Sequence, residues 1–366
     1  MVDASLHRMF RGRELAGRIV DKISETGVEA TIMHVCGTHE QSITRSGIRS
    51  LLPEGLEIVP GPGCPVCVTP TSEIDAAVEL AEQGVIVAVY GDMMRVPGTK
   101  GSLSQKKTEG RDCRIVYSPE NAIEIARQNP DREVVFFAIG LETTAPMTAH
   151  VLLDSPPDNF SVLCSHRLTP PAVDFLLALG ESKISGLIQP GHVSTIIGEK
   201  AWIPLDEKYH APQVIAGFEP VDILLAVLMI CRQIKDGPGR LENAYMRSVT
   251  FDGNLRAQEV LDKVFTVKDE VWRGFPVIPD STYAFKEEYS DFDAVKRFDL
   301  KLAKSGEACG VDCPLCGKIL RGLAKPQDCE KFKSLCTPQN PLGACMVSNE
   351  GTCNIAYRYG GIVKIK

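Results

Sequence analysis

Four landmarks of this 366-residue chain recur at a shift of 100 to 103 residues, and that repetition limits the fold more than any single motif does. The run ATIMHVCGTHE (30–40) corresponds to EVVFFAIGLETT (133–144), each reaching a glycine, Gly37 or Gly140, that is followed within three residues by an acid. Thr69-Pro70 opens one helical segment and Thr169-Pro170 another; Gly91 falls in register with Gly191, and Pro119 with Pro220. Apolar runs of strand length alternate with helical patterns, as in β-loop-α units around a parallel sheet. The repetition predicts an α/β protein with two duplicated doubly wound parallel-sheet domains, over 1–117 and 118–230. Beyond Lys235 the string DGPGR breaks the helical pattern. Residues 231–366 then form a third, Cys-rich domain, expected to take part of its stability from a metal site.

Seven of the 13 cysteines fall in the last 58 residues: Cys309, Cys313, Cys316, Cys329, Cys336, Cys345 and Cys353. Secreted disulfide scaffolds are short chains with a signal peptide. Here the opening MVDASLHRMFRGRELAGRIV is mixed and charged, with no apolar core or cleavage site, and reads as a cytoplasmic helix. Clustered thiols in a reducing compartment point to metal ligands or redox pairs. Pro and Gly break the C-terminal segment into loops, as convergence on a compact iron–sulfur cluster requires. Zinc fits the same spacing, because Cys313-x2-Cys316 followed by Cys329 and Cys336 can close a tetrahedral site. Cys113, Cys164 and Cys231 lie in or beside apolar runs and are expected in the core.

Two further motifs carry chemistry. GPGCPVCVTP (61–70) places Cys64 and Cys67 at the start of a helix, where free backbone N–H groups stabilise a thiolate. Such a pair can cycle between dithiol and disulfide, or bind a soft metal. HVCGTHE (34–40) gathers Cys36, His39 and Glu40 just past an apolar strand, either as a metal corner or as a thiol with an adjacent base. Asp92, Arg95, Glu142, Thr143, His166, His192 and Glu219 sit in loops that end other strands, where open α/β sheets place ligands. Those loops would face one another across a shared cleft.

Composition excludes other classes. The net charge of −7, without basic clusters interleaved with aromatics, argues against nucleic acid as a partner. The longest apolar run, 221–234, contains Asp222 and Arg232 and falls short of the roughly 18 to 20 residues that cross a bilayer, so no membrane span is expected. No phosphate-binding glycine loop occurs.

Together, CGTHE, GPGCPVCVTP, YGDMMRVPG, AIGLETTAP, PGHVSTIIG, GFEPVDIL and PLGACMVSNEGTC closely resemble the HypD family of hydrogenase maturation proteins, over essentially the whole chain. The resemblance implies a redox-active scaffold, more than a turnover enzyme, for the iron of [NiFe] hydrogenases, which carries two cyanides and one carbon monoxide. It implies a small chaperone partner, HypC, and a cyanide donor, HypE, working with HypF. Three essential cysteines of the family map onto Cys36, Cys64 and Cys67, which would meet the iron. One [4Fe-4S] cluster maps onto Cys329, Cys336 and Cys353, with Cys313 or Cys316 as the fourth ligand. Cys345 and the remaining member of that pair would form a redox disulfide beside it. The alternative is an iron–sulfur thiol-disulfide oxidoreductase resembling ferredoxin-thioredoxin reductase.

Overall fold

The computed structural model describes residues 12–181, 183–302 and 313–360. Its central strands are β1 (Ala30–His34), β2 (Leu56–Pro60), β3 (Ile86–Tyr90), β4 (Cys113–Val116), β5 (Val134–Gly140), β6 (Phe160–His166), β7 (Gly186–Pro190), β8 (Gln213–Ala216) and β9 (Leu241–Asn243). They build two wholly parallel sheets, ordered β2-β1-β7-β8-β9 and β4-β3-β5-β6. The protein is α/β, with helices flanking both sheets and a Cys-rich region at its end.

The duplication is visible strand by strand. Ala30, Leu56, Ile86 and Cys113 open β1 to β4, and Val134, Phe160, Gly186 and Gln213 open β5 to β8, at offsets of 104, 104, 100 and 100 residues. Under that correspondence the order β2-β1-β7-β8 becomes β6-β5-β3-β4, which is the second sheet read from its other edge. Each sheet therefore takes two strands from each repeat. This differs from the expected division at 117/118: β5 pairs with β3 and carries β6 on its other edge, while β7 pairs with β1 and carries β8. Duplicated strands carry the same hydrophobic pattern, so local pattern leaves a strand free to pair with its neighbour's copy.

Packing follows from side-chain alternation along each strand. In the first sheet Ile32, Ile58, Ile188 and Val214 face the paired helices Arg13–Thr26 and Pro220–Asp236, whose Ile19, Ile23, Ile223, Leu224, Val227 and Ile230 complete that layer. Their neighbours Met33, Val59, Leu187 and Ile215 join Val87, Val89, Val135, Phe137 and Leu163 of the second sheet in one shared core. β5, VVFFAIG, is buried along its whole length, as a central parallel strand covered on both faces must be. Cys113 and Cys231 are buried, and Cys164 is half-buried at β6.

The chain passes between sheets twice. The first crossing, β2 to β3, runs through the helices Pro65–Val68 and Thr71–Glu82; the second, β6 to β7, runs through Thr169–Leu179. The matched Thr-Pro pairs stand at these two crossings. An antiparallel hairpin, β10 (Phe265–Val271) and β11 (Val277–Phe285), lies against the second: Leu168 N–H donates to Ser281 O at 2.8 Å, and Thr282 faces Arg167. Arg167 and Glu73 form a buried ion pair of 2.6 Å linking the two crossings. Arg167 also donates to Thr282 Oγ1 at 3.0 Å. Removing one partner of such a pair leaves a charge stranded in low dielectric, at a cost of about 3–5 kcal/mol.

Among the described residues no helix is long and apolar enough to cross a membrane. Since neither repeat owns a complete sheet, residues 1–117 expressed alone should remain unfolded, with collapsed amide dispersion in NMR. A cooperatively folded 1–117 fragment would contradict the interleaving.

Candidate functional site

Cys64 and Cys67 lie on the first crossing, where the chain leaves one sheet for the other. Cys64 is the N-cap of the helix Pro65–Val68, and Cys67 N–H donates to its Sγ at 3.2 Å. The two are joined as a disulfide with Cα atoms 5.2 Å apart, and both are buried. Pro65 opens the helix, where its missing N–H is no loss.

Cys36 closes in from β1. It is the N-cap of the helix Gly37–Arg45, and its backbone packs directly on Gly63: a Cβ on Gly63 would stand 2.3 Å from Cys36 N. Gly37 N–H donates to Gly63 O at 3.3 Å. The glycine before Cys64 is thus what lets the two thiol-bearing loops touch. Burial, and then the charge of Glu350, push the Cys36 thiol up to about 11, against stabilisation by the N–H groups of His39 and Thr38. The thiol is protonated at neutral pH and must lose its proton to take a metal.

His39 is fully buried, and burial, then the proximity of His34, holds it down to about 3, so the ring is neutral. Its Nε2 lies 2.9 Å from Gly217 O and 3.3 Å from Ala216 O. Two carbonyls demand a donor, so the proton is on Nε2 and Nδ1 keeps its lone pair, without a hydrogen-bond partner. Phe218 stacks on His39 at 4.8 Å and on His192 at 3.8 Å, fixing the ring plane.

Glu40 does other work. Its oxygens accept from Arg49 at 2.6 and 3.0 Å and from Thr44 at 2.9 Å, and Oε2 meets His34 Nε2 at 2.7 Å. Burial alone would raise this carboxyl, but Arg49 and His34 prevail and hold it down to about 2. It anchors the helix Gly37–Arg45 to β1 and to the turn after it, with no oxygen left for a neighbouring thiol.

The Cys-rich region folds back over these loops. Helix Ala344–Val347 packs on Pro65–Val68, and helix Thr352–Tyr359 packs on Gly37–Arg45. Between them, Thr38 Oγ1 donates to Glu350 Oε1 at 3.0 Å, and a Cβ on Gly37 would stand 2.4 Å from Glu350 Cβ. Asp92 accepts from Ser348 Oγ at 3.2 Å and from Asn349 N–H at 3.1 Å, tying the same loop to the end of β3. Arg95 donates to Pro338 O.

The C-terminal thiols are mutual neighbours. Burial, then the charges of Cys345, Cys313, Cys336 and Cys329, raise the Cys353 thiol, and Cys336 is raised by burial and by Cys313 and Cys329. A hydrogen bond with Cys316 and the charge of Arg273 bring Cys313 down to about 7, against the opposing effect of burial. Leu342 N–H donates to Cys336 Sγ at 3.5 Å, and a Cβ on Gly343 would stand 2.8 Å from Cys313 Sγ. A soft donor set, glycine clearance and backbone N–H groups aimed at sulfur suit an iron–sulfur cluster. Among the described residues no three donors already form a closed ion cage. Cys309 lies outside the described residues.

Of the weaker candidates, Glu142 accepts from Thr169 N–H at 2.6 Å and from its hydroxyl at 2.8 Å, capping the second crossing helix, and burial lifts its carboxyl to about 7. His166 bonds Thr148 at 2.9 Å. Glu219 caps the helix Pro220–Asp236. These three belong to the scaffold, whereas Asp92 and His192 reach the site. Sequence patterning missed Glu350, Thr38, Phe218 and Arg273. Thr38, Phe218 and Glu350 lie inside the strings CGTHE, GFEPVDIL and PLGACMVSNEGTC, whereas Arg273 lies in none of them.

Because Glu40 falls from 4.5 to about 2 on folding, its contribution is present above about pH 4.5 and lost as pH falls toward 2. That contribution is about 3 kcal/mol. Glu40→Gln should flatten the acid limb of a urea-unfolding profile between those pH values; an unchanged limb would show the carboxylate is not held by Arg49.

Comparison with known proteins agrees with the string-level resemblance. Residues 13–360 match the HypD family, described as the hydrogenase formation hypA family. A putative hydrogenase expression/formation protein of Methanocaldococcus jannaschii is 47% identical over 353 residues, 95% of this chain and 98% of its own. Hydrogenase maturation factors HypD of Azotobacter vinelandii and Cupriavidus necator are each 44% identical, the first covering 95% of this chain and 94% of its own, the second 96% of both. The chain belongs to the HypD family of hydrogenase maturation factors.

Proposed function

We propose that the protein is a redox-active scaffold on which iron carrying two cyanides and one carbon monoxide is assembled for [NiFe] hydrogenase. The observation that carries this reading is the convergence of three segments distant in sequence. Cys36 and the Cys64–Cys67 pair meet at the first crossing, and the loop bearing Glu350 closes over them beside the C-terminal thiols.

Iron is the substrate here. Opening the Cys64–Cys67 disulfide takes two electrons and two protons and yields two thiols, which with Cys36 make three soft donors. Each must release its proton as iron binds. The neutral His39, three residues after Cys36 and with Nδ1 unprotonated, is a base held in a fixed tautomer. Burial keeps water from competing for positions that cyanide and carbon monoxide need. A [4Fe-4S] cluster held by Cys329, Cys336, Cys353 and either Cys313 or Cys316 would supply single electrons at low potential, drawn from an external donor. The remaining thiol of that pair and Cys345 would form a redox disulfide next to it. HypC is the expected chaperone partner and HypE, with HypF, the expected cyanide donor.

A generic thiol-disulfide oxidoreductase needs an exposed attacking sulfur. Cys64 and Cys67 are 4% and 0% exposed, which favours the scaffold over that alternative.

Anaerobically purified protein co-expressed with HypC should show infrared bands of iron-bound cyanide and carbon monoxide, and Cys36→Ala, Cys64→Ala and Cys67→Ala should each lose them. Retention in all three variants would contradict the ligand assignment. His39→Gln should reduce iron loading at least about tenfold, the usual scale of general-base loss being larger, while leaving the unfolding midpoint close to wild type.

A further inference from the structure

Arg167 and Arg273 are the two fully buried cations among the described residues: Arg167 reaches from the end of β6 to Thr282 of the hairpin, and Arg273 reaches from the hairpin turn to the first crossing. Arg167 is answered by Glu73. Arg273 stands at the turn Val271–Val277, which Trp272 steadies by donating Nε1–H to Ser281 Oγ at 3.0 Å. Its backbone N–H donates to Val68 O at 2.8 Å and its Nε–H to Thr69 O at 2.7 Å. Those are the two residues directly after Cys67. On its other side the next residue, Gly274, lies 3.0 Å from the place a Cβ of Gly317 would take, so the helix Cys316–Leu320 is seated on the same turn. Arg273, buried to 2% exposure, is thus a desolvated cation one residue from the seat of the helix that begins at Cys316.

We propose that Arg273 is a positioning residue between the two thiol sites, fixing the segment after Cys67 against the helix that begins at Cys316 and offsetting the negative charge that reduction places on the C-terminal cysteines. The inference rests on the redox-scaffold reading. A guanidinium stays charged at all working pH values, and its planar fork holds a carbonyl in a set direction. A buried cation stabilises added negative charge far more than one in water does. The electron balance is simple: two electrons from a one-electron reductant of the dithionite class and two protons open the Cys64–Cys67 bond, and Arg273 is neither oxidised nor protonated.

Full-length wild type, Arg273→Gln and Arg273→Lys, purified anaerobically, separate the two roles. The midpoint potential of the C-terminal cluster is followed by paramagnetic resonance, and disulfide opening after dithionite addition is followed by alkylation and mass spectrometry. Arg273→Gln should shift the midpoint to more negative values and slow opening at least tenfold. Arg273→Lys should keep the midpoint near wild type yet still slow opening, because it cannot reproduce the Nε–H bond to Thr69. A wild-type midpoint and opening rate in Arg273→Gln would overturn the proposal. Should Arg273→Gln not fold, a wild-type opening rate in Arg273→Lys would overturn it equally. Absence of acid-labile sulfide in wild type would sink the redox-scaffold reading itself, whereas a loaded wild type with unaffected variants sinks only the role of Arg273.

Discussion

Neither repeat can complete a sheet with its own strands, so the chain must cross between sheets twice, and the first crossing is where Cys64 and Cys67 stand. Everything at the site depends on that constraint. A crossing segment of an interleaved pair lies between the layers, next to the carboxyl end of β1 that delivers Cys36, and the Cys-rich region covers its remaining side. The second crossing has the same place in the other half. There Arg167 and Glu142 stand near the matched Thr169-Pro170, and ion pairing and helix capping replace thiol chemistry. One copy of the unit carries the Cys64–Cys67 disulfide; the other holds the frame.

Burial then sets the chemistry. A thiol pushed to about 11 and an imidazole held at about 3 are both neutral in the resting protein. Low dielectric makes an uncompensated charge costly, so donors become anionic only when a cation arrives to meet them. Glu350, reaching in from the Cys-rich region and held by Thr38, reinforces that bias at Cys36 by its charge, while Thr38 itself opposes it.

Much of this was legible in the sequence. Strand-length apolar runs and the recurrence of Gly37/Gly140 and Thr69/Thr169 disclosed the α/β units and the duplication, because both are local patterns. Strand partnership is not local. β1 pairing with β7 at Ile32↔Gly186 depends on which of two similar edges is nearer in space, and this is why the expected boundary at 117/118 does not separate the sheets. Among site residues, Cys36, Cys64 and Cys67 announced themselves by type and by flanking glycines. The engagement of Glu40 by Arg49 and His34 did not, since a carboxylate four residues from a thiol looks the same whether it faces the thiol or an arginine. Arg273 is a long-range contact with no motif of its own, separated from Thr69 by more than half the chain.

The central claim is that the crossing disulfide and the C-terminal cysteines form one electron-accepting system. Stepwise dithionite titration of the anaerobic wild-type protein, monitored by cluster absorbance and thiol count together, tests it most directly. A one-electron cluster in contact with two two-electron disulfides, Cys64–Cys67 and the one proposed at Cys345, should take up about five equivalents per chain, and Cys64→Ala about three. Uptake of a single equivalent by wild type, with the Cys64–Cys67 bond intact at the end, would contradict the account.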